Sequence, residues 1–238
     1  DPPTEVGFLD LAAYQGNNQE VNALSICLAN GMAYISTEAG SFGSPPPYVH
    51  KVDPSGPSVV ASTQFGDDYL TKVAVDPDAE VVWVHEDDSQ SDGTTHKLDL
   101  DLNHLDAFSR TDMNRNFHTD MFAAAASTLA YGYTTAPHLR VYDLDGSLRW
   151  GKNLGGTGLG LEIDKAGHIY VADDDGSQDR RVRRYSPDGT LVWETTANYG
   201  SGVFFRTVDN LSIDNESGRL YGAEGNNDDL FAWDQVEL

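Results

Sequence analysis

Three carboxylates, Asp120, Glu162 and Asp209, stand in short apolar runs of this 238-residue chain. Two carboxyl groups held roughly 5–10 Å apart can cleave a glycosidic bond, one as acid and the other as nucleophile or base. Lys72 and Arg206 stand in comparable runs and could act as their charge partners. A second chemistry is written in the acidic stretches "HEDDSQSDG", "DDDGSQD" and "EGNNDD". Hard cations such as Ca²⁺ collect several oxygen ligands, and Asp173, Asp174, Asp175 and Asp179 form the densest set. Their spacing is not that of an alternating-Asp calcium loop, and a solvated acidic face is the reading the composition favours. A third chemistry is contact by aromatic rings. Tyr48 follows three prolines in "SFGSPPPYVH", Phe117 lies in "NRNFHTDMF", and Tyr199 lies in "ANYGSGVFFR". Aromatics on loops are contact residues for proteins and sugars.

Other reactive residues offer less. Cys27, in "ALSICLANG", is the only cysteine, so an internal disulfide and a cysteine-based zinc site are excluded. Its apolar neighbours predict a buried, inert thiol. The seven histidines show no pair spaced one helical turn apart. His50 and His96 occupy the same place in "HKVD" and "HKLD", which makes them repeat residues first.

What would position these groups is a repeat. "RVYDLDGSLRW" at 140–150 and "RRYSPDGTLVW" at 183–193 share Tyr, Asp-Gly, a hydroxyl residue, Leu and Trp at equal offsets. The corresponding marks are Asp53, Asp99, Asp143, Ser186 and Asp234, spaced by 46, 44, 43 and 48 residues. Upstream of each mark an alternating apolar run, a turn and an aromatic-bearing run recur, as in "LEIDKAGHIYVAD". Such runs, split by Asp-Gly, Asn-Gly and Asp-Pro, are strands joined by tight turns. Four short strands in about 45 residues is the period of a propeller blade. Even "MFAAAAS" reads as an inner strand, its small side chains suited to crowding near an axis.

The sequence therefore predicts an all-β, five-bladed β-propeller forming one domain over residues 1–238, with four-stranded antiparallel blades near 22–66, 67–113, 119–154, 157–199 and 205–238. The last unit has three strands only. Residues 5–12 are expected to pair beside its final strand, supplying the fourth and closing the ring, which would remove the exposed edge.

The phrase resembles the repeat of quinoprotein-like (PQQ-like) propellers, whose blades run Tyr or Ala, Asp, a Gly turn and then Trp. The likeness covers most of the chain and is strongest at Gly146 with Trp150 and Gly189 with Trp193. "PSVVAST" and "HLDAFSR" lack the Trp. The resemblance implies architecture, and function must be argued from sites.

Charge narrows the partners. Fifteen Lys and Arg against 38 Asp and Glu leave a net charge of −23, with 28 Asp and only five Lys. Such a surface repels nucleic acid and anionic lipid, and no apolar run is long enough to span a bilayer. Asp-rich, Lys-poor composition resembles that of proteins from salt-loving archaea. The start, "DPPTEVGFLD", reads as a processed or excised N-terminus. The expectation is a non-catalytic recognition or structural module of a high-salt extracellular or surface assembly, a virus particle included. It would bind protein or glycan and need no cofactor beyond a hard cation such as Ca²⁺. The alternative is a glycoside-hydrolase-like enzyme using Asp120, Glu162 and Asp209.

Self-repulsion opposes compaction at low ionic strength and is screened within about 3 Å in molar salt. The melting temperature is therefore expected to rise continuously from dilute buffer to molar KCl. A flat profile by circular dichroism would reject charge repulsion as a determinant of stability.

Overall fold

The computed structural model describes residues 19–27, 30–39, 46–66, 70–87, 93–109, 119–133, 136–154, 158–174, 180–196, 208–224 and 230–234. Their regular structure is entirely β. The chain divides into two compact units, Asp1–Asn116 and Phe117–Leu238.

The first unit holds two antiparallel four-stranded sheets in simple sequence order. One comprises β1 (Gln19–Cys27), β2 (Met32–Ala39), β3 (Tyr48–Asp53) and β4 (Ser58–Gln64). The other comprises β5 (Leu70–Asp76), β6 (Val81–Asp87), β7 (Thr94–Asp99) and β8 (His104–Ser109). Between them lies a core of Tyr34, Val49, Phe65, Val73, Val75, Val82, Val84, Leu98 and Leu102. Val82, Val84 and Leu98 alternate with residues of the opposite face, as period-two geometry demands.

The second unit repeats the plan with β9 (Thr119–Ala125), β10 (Thr128–Tyr133), β11 (Leu139–Asp143) and β12 (Leu148–Lys152), then β13 (Gly158–Ile163), β14 (Ile169–Asp174), β15 (Arg180–Tyr185) and β16 (Leu191–Thr196). A three-stranded sheet follows, β17 (Val208–Asp214), β18 (Arg219–Glu224) and β19 (Leu230–Asp234). The middle sheet is buried on both faces. Ile169 and Val171 of β14 join Leu139, Val141 and Leu161 on one side. Tyr170 and Ala172 join Val182, Leu211 and Leu220 on the other. Burial on both faces explains why "IYVA" reads as a continuous apolar run. The residues expected to close a ring, 5–12, lie outside the described residues.

The first five residues of "MFAAAAS" lie in β9, so the stretch is a strand as expected, and its last two form the turn. Its hairpin is closed by Ala126 and Ser127 at φ of 49° and 57°, with Ala125 paired to Thr128. Those are the backbone angles of a two-residue hairpin turn that suits the twist of the flanking strands.

The repeated phrase interlocks neighbouring sheets. In both copies it forms a third strand, a tight turn and a fourth strand, with Asp143 and Ser186 N–H bonded to the Ser147 and Thr190 carbonyls. The Trp150 indole N–H donates to the Pro187 carbonyl of the next turn at 2.9 Å. Its ring lies on Gly189, where an added Cβ would come within 2.8 Å of Trp150 Cδ2. Gly189 also has φ of 83°, as has Gly146 in the preceding turn. Leu102 takes the same place in the first unit at φ of 66° and is buried in the core. Burying a leucine contributes about 1.5–3 kcal/mol, which offsets the roughly 1–2 kcal/mol of the left-handed conformation.

Each fourth strand carries an extra residue against its partner at the same place: Val60, Leu105, Arg149 and Val192. Three of these four are among the exposed aliphatics.

Gly189→Ala is expected to destabilise the second unit by at least about 2 kcal/mol, combining left-handed strain with displacement of Trp150. Urea denaturation followed by tryptophan fluorescence measures it. A loss within experimental error would show that the indole does not need this turn.

Candidate functional site

The three carboxylates proposed for catalysis all fall on first strands of the second unit: Asp120 on β9, Glu162 on β13 and Asp209 on β17. Both β9 and β17 pack against β13. Their places along those strands differ. Asp120 and Asp209 are each the extra residue of a β-bulge, flanked by the pairs Thr119–Tyr133 and Met121–Gly132, and by Val208–Glu224 and Asn210–Ala223. The corresponding bulge of β13 falls at Leu159, three residues before Glu162. That is about 10 Å along a strand. Asp120 and Asp209 are thus equivalent positions, and Glu162 is displaced toward the hairpin. The Asp120 and Asp209 side chains lie outside the described residues, as does Arg206.

Glu162 keeps part of its surface accessible but sits deep between strands. Desolvation pushes its carboxyl up to about 7, opposed by a 3.0 Å bond from the Ile163 N–H to Oε1. It is cross-strand to Tyr170. Two residues on, Asp164 is wholly buried and heavily partnered. The N–H groups of Ala166 and His168 donate to its Oδ1 at 2.9 and 2.8 Å, and the Tyr170 hydroxyl donates to Oδ2 at 3.0 Å. His168 Nδ1 lies 3.0 Å from the same oxygen, and Arg184 Nη2 lies 3.8 Å away. This carboxylate closes a hairpin and anchors the strand that follows.

Of the cation-binding set, Asp173 lies inside β14 opposite Arg181. Its buried carboxylate meets Arg183 Nη1 at 3.1 Å and Arg181 Nη2 at 3.6 Å. Arg183 also binds Glu194 at 2.6 Å and the Leu154 carbonyl at 3.0 Å. The Asp174 side chain, and Asp175 and Asp179 entirely, lie outside the described residues. Among the described residues no three His, Cys, Asp or Glu side chains gather as a metal set.

Of the contact aromatics, Phe117 and Tyr199 lie outside the described residues. Tyr48 begins β3, half-buried, at the end of the first unit where β4 ends. Its ring stacks on the His50 imidazole, centroids 5.7 Å apart and planes 10° apart. Its hydroxyl donates to Gln64 Oε1 at 3.1 Å, and Thr37 Oγ1 binds its backbone. His50 is buried, and desolvation lowers its imidazole to about 4. The Tyr48 ring is therefore fixed at its face by His50 and at its hydroxyl by Gln64, while the residue keeps part of its surface accessible.

An arrangement that sequence reasoning missed lies nearby. Glu86 of β6, His96 of β7 and His104 of β8 form a diagonal chain across one sheet. His96 Nε2 lies 3.1 Å from Glu86 Oε2, and His96 Nδ1 lies 3.3 Å from His104 Nε2. Phe65 meets the His96 ring edge-on at 5.1 Å. A Cβ on Gly66 would fall 2.5 Å from Glu86 Oε1, so the glycine leaves room for that carboxylate. His50, the repeat equivalent of His96, instead meets Ser62 at 2.7 Å. The signal was present in "HKLDLDLNH", where the Leu98–His104 pairing of a hairpin puts the second histidine diagonal to the first.

Against solved structures, the chain is similar to one described as the structure of the Dos1 propeller, at 14% identity and a TM-score of 0.60, over 91% of this chain and 56% of that one. The fold is that of a β-propeller. A second similar structure, a protein of unknown function from Bacteroides caccae, shares 15% identity at a TM-score of 0.64, covering 92% of this chain and 79% of that one. The chain thus spans little more than half the length of the first of these structures. No family model and no curated protein matched the sequence.

The raised carboxyl gives a pH test. Glu162 holds its proton to about pH 7 in the folded chain, whereas the unfolded carboxyl releases it near its ordinary value of 4.5. The contribution is present below pH 4.5 and is lost as pH rises through 7, by no more than about 3 kcal/mol. Glu162→Gln is expected to abolish this loss. Urea denaturation at pH 5 and pH 8 checks it, and equal pH dependence in both proteins would sink the assignment.

Proposed function

We propose that this β-propeller module is a non-catalytic recognition element binding protein or glycan at the Tyr48 end of its first unit. The observation that carries this reading is the half-buried Tyr48 ring, stacked on His50 and tethered to Gln64. A pre-fixed aromatic beside a carboxamide offers flat apolar contact together with hydrogen bonding, at little entropic cost on binding. The buried carboxylates Asp164 and Asp173 are engaged within the fold, which supports a scaffold role for the second unit. The acidic, lysine-poor surface favours work in high salt, outside the cell or in a surface assembly such as a virus particle. Five blades, with residues 5–12 completing the last one, is the arrangement we infer from the repeat spacing. Sequence likeness to the quinoprotein-like repeat supports the blade pattern alone.

A second reading has its own observation. Glu162, with its carboxyl raised to about 7, holds a proton near neutrality as a general acid must. On that reading the chain hydrolyses a glycosidic bond with Asp120 or Asp209 as the second carboxylate.

One experiment separates them. The purified chain is presented in molar KCl to a glycan array and to candidate surface proteins, and glycan turnover is assayed alongside. Capture without turnover, weakened about tenfold or more by Tyr48→Ala, supports recognition. Turnover that vanishes in Glu162→Gln while Tyr48→Ala retains it overturns recognition in favour of hydrolysis.

A further inference from the structure

We propose that His96 and His104 form a binding site for a borderline divalent transition ion, of the Zn²⁺ class, oriented by Glu86. This goes beyond the recognition reading and does not depend on it.

The geometry rests on one distance. His96 Nδ1 and His104 Nε2 are 3.3 Å apart. Two imidazole nitrogens bound to one tetrahedral zinc, each at about 2.0–2.1 Å, stand about 3.3 Å from one another. The spacing that reads as a long nitrogen–nitrogen hydrogen bond is equally the bite of a shared ion. The rings make an edge-on pair, centroids 5.5 Å apart and planes at 70°. His104 is exposed at the start of an edge strand, so its ring can turn its lone pair toward a point equidistant from both nitrogens.

Glu86 decides which nitrogen of His96 is the ligand. Its Oε2, 3.1 Å from Nε2, accepts that N–H and leaves the lone pair on Nδ1, facing His104. A carboxylate behind a metal-bound histidine fixes the tautomer and raises the basicity of the ligand. Glu86 and His96 have side chains only 15% and 16% exposed, so this half of the site is built before an ion arrives. Phe65 holds the His96 ring from the side, and Gly66 leaves space for the carboxylate. Imidazole donors favour zinc, copper and nickel over calcium and magnesium. Two protein ligands leave positions for water or for a donor from a bound molecule. The net charge of −23 concentrates cations around the chain.

The test is a calorimetric titration of the folded chain with Zn²⁺ in molar KCl containing excess Mg²⁺, which occupies oxygen-only sites. The expected result is one Zn²⁺ per chain, with the ¹⁵N resonances of His96 Nδ1 and His104 Nε2 shifting together. His104→Asn, a change at an exposed position checked by circular dichroism, is expected to weaken binding more than tenfold. Glu86→Gln should weaken it about 10- to 100-fold. Absence of stoichiometric binding, or equal affinity in His104→Asn, overturns the site. Undiminished affinity in Glu86→Gln overturns the orienting role.

Discussion

A four-stranded sheet that buries both faces needs a neighbour on each side, and the sheets of the second unit meet that demand through side chains that belong to one strand and rest on the turn of another. Trp150 is the clearest case. Its ring covers Gly189, its N–H is taken by the Pro187 carbonyl, and its face tilts against Tyr185 at 5.8 Å. Without that contact, the turn would present backbone to an apolar ring with no polar partner for the indole. The left-handed angle at Gly189 and the absence of a Cβ there are two requirements of one contact. The repeated phrase is therefore a connector between sheets as well as a pair of strands.

Much of the architecture was legible because it is local. Asp-Gly turns at Asp145–Gly146 and Asp188–Gly189, and the alternation of strands such as "VVWVH", fix hairpins within a few residues of sequence. The β-character of "MFAAAAS" could be read only from its place in the repeat, since its composition is helical by propensity. What stayed illegible depends on register. Asp173 opens the acidic run that follows Val171 and Ala172, yet pairing with β15 sets it against Arg181 and within reach of Arg183. Likewise His96 and His104 meet only because Leu105 is an extra residue in β8, leaving His104 opposite Leu98. Spacing along the chain does not reveal such diagonals, because they follow from where a ladder slips.

The distribution of charge divides the molecule's acids into two kinds. Turn residues such as Asp53, Asp99, Asp188 and Asp214 lie below the usual carboxylate range, held there first by side-chain bonds from Ser55, Asn103, Ser186 and Ser217 and then by backbone N–H groups. They are half-buried or exposed and serve the backbone. Glu162 departs in the opposite direction because burial penalises its ionised form. In an acidic protein most carboxylates carry little individual information, and the informative one is the group whose surroundings favour the proton.

The extra residue in the four fourth strands among the described residues has a consequence for how molecules of this chain meet each other. Val60, Leu105 and Val192 would make greasy borders if those strands ran evenly, and even borders recruit further strands from solution. With the slip, a visiting strand that matched the first rungs would be out of step by the next, its donors facing donors. The oily side chains can then remain in water without seeding fibres. Crowding is resisted by geometry at the borders, alongside the mutual repulsion of many negative charges.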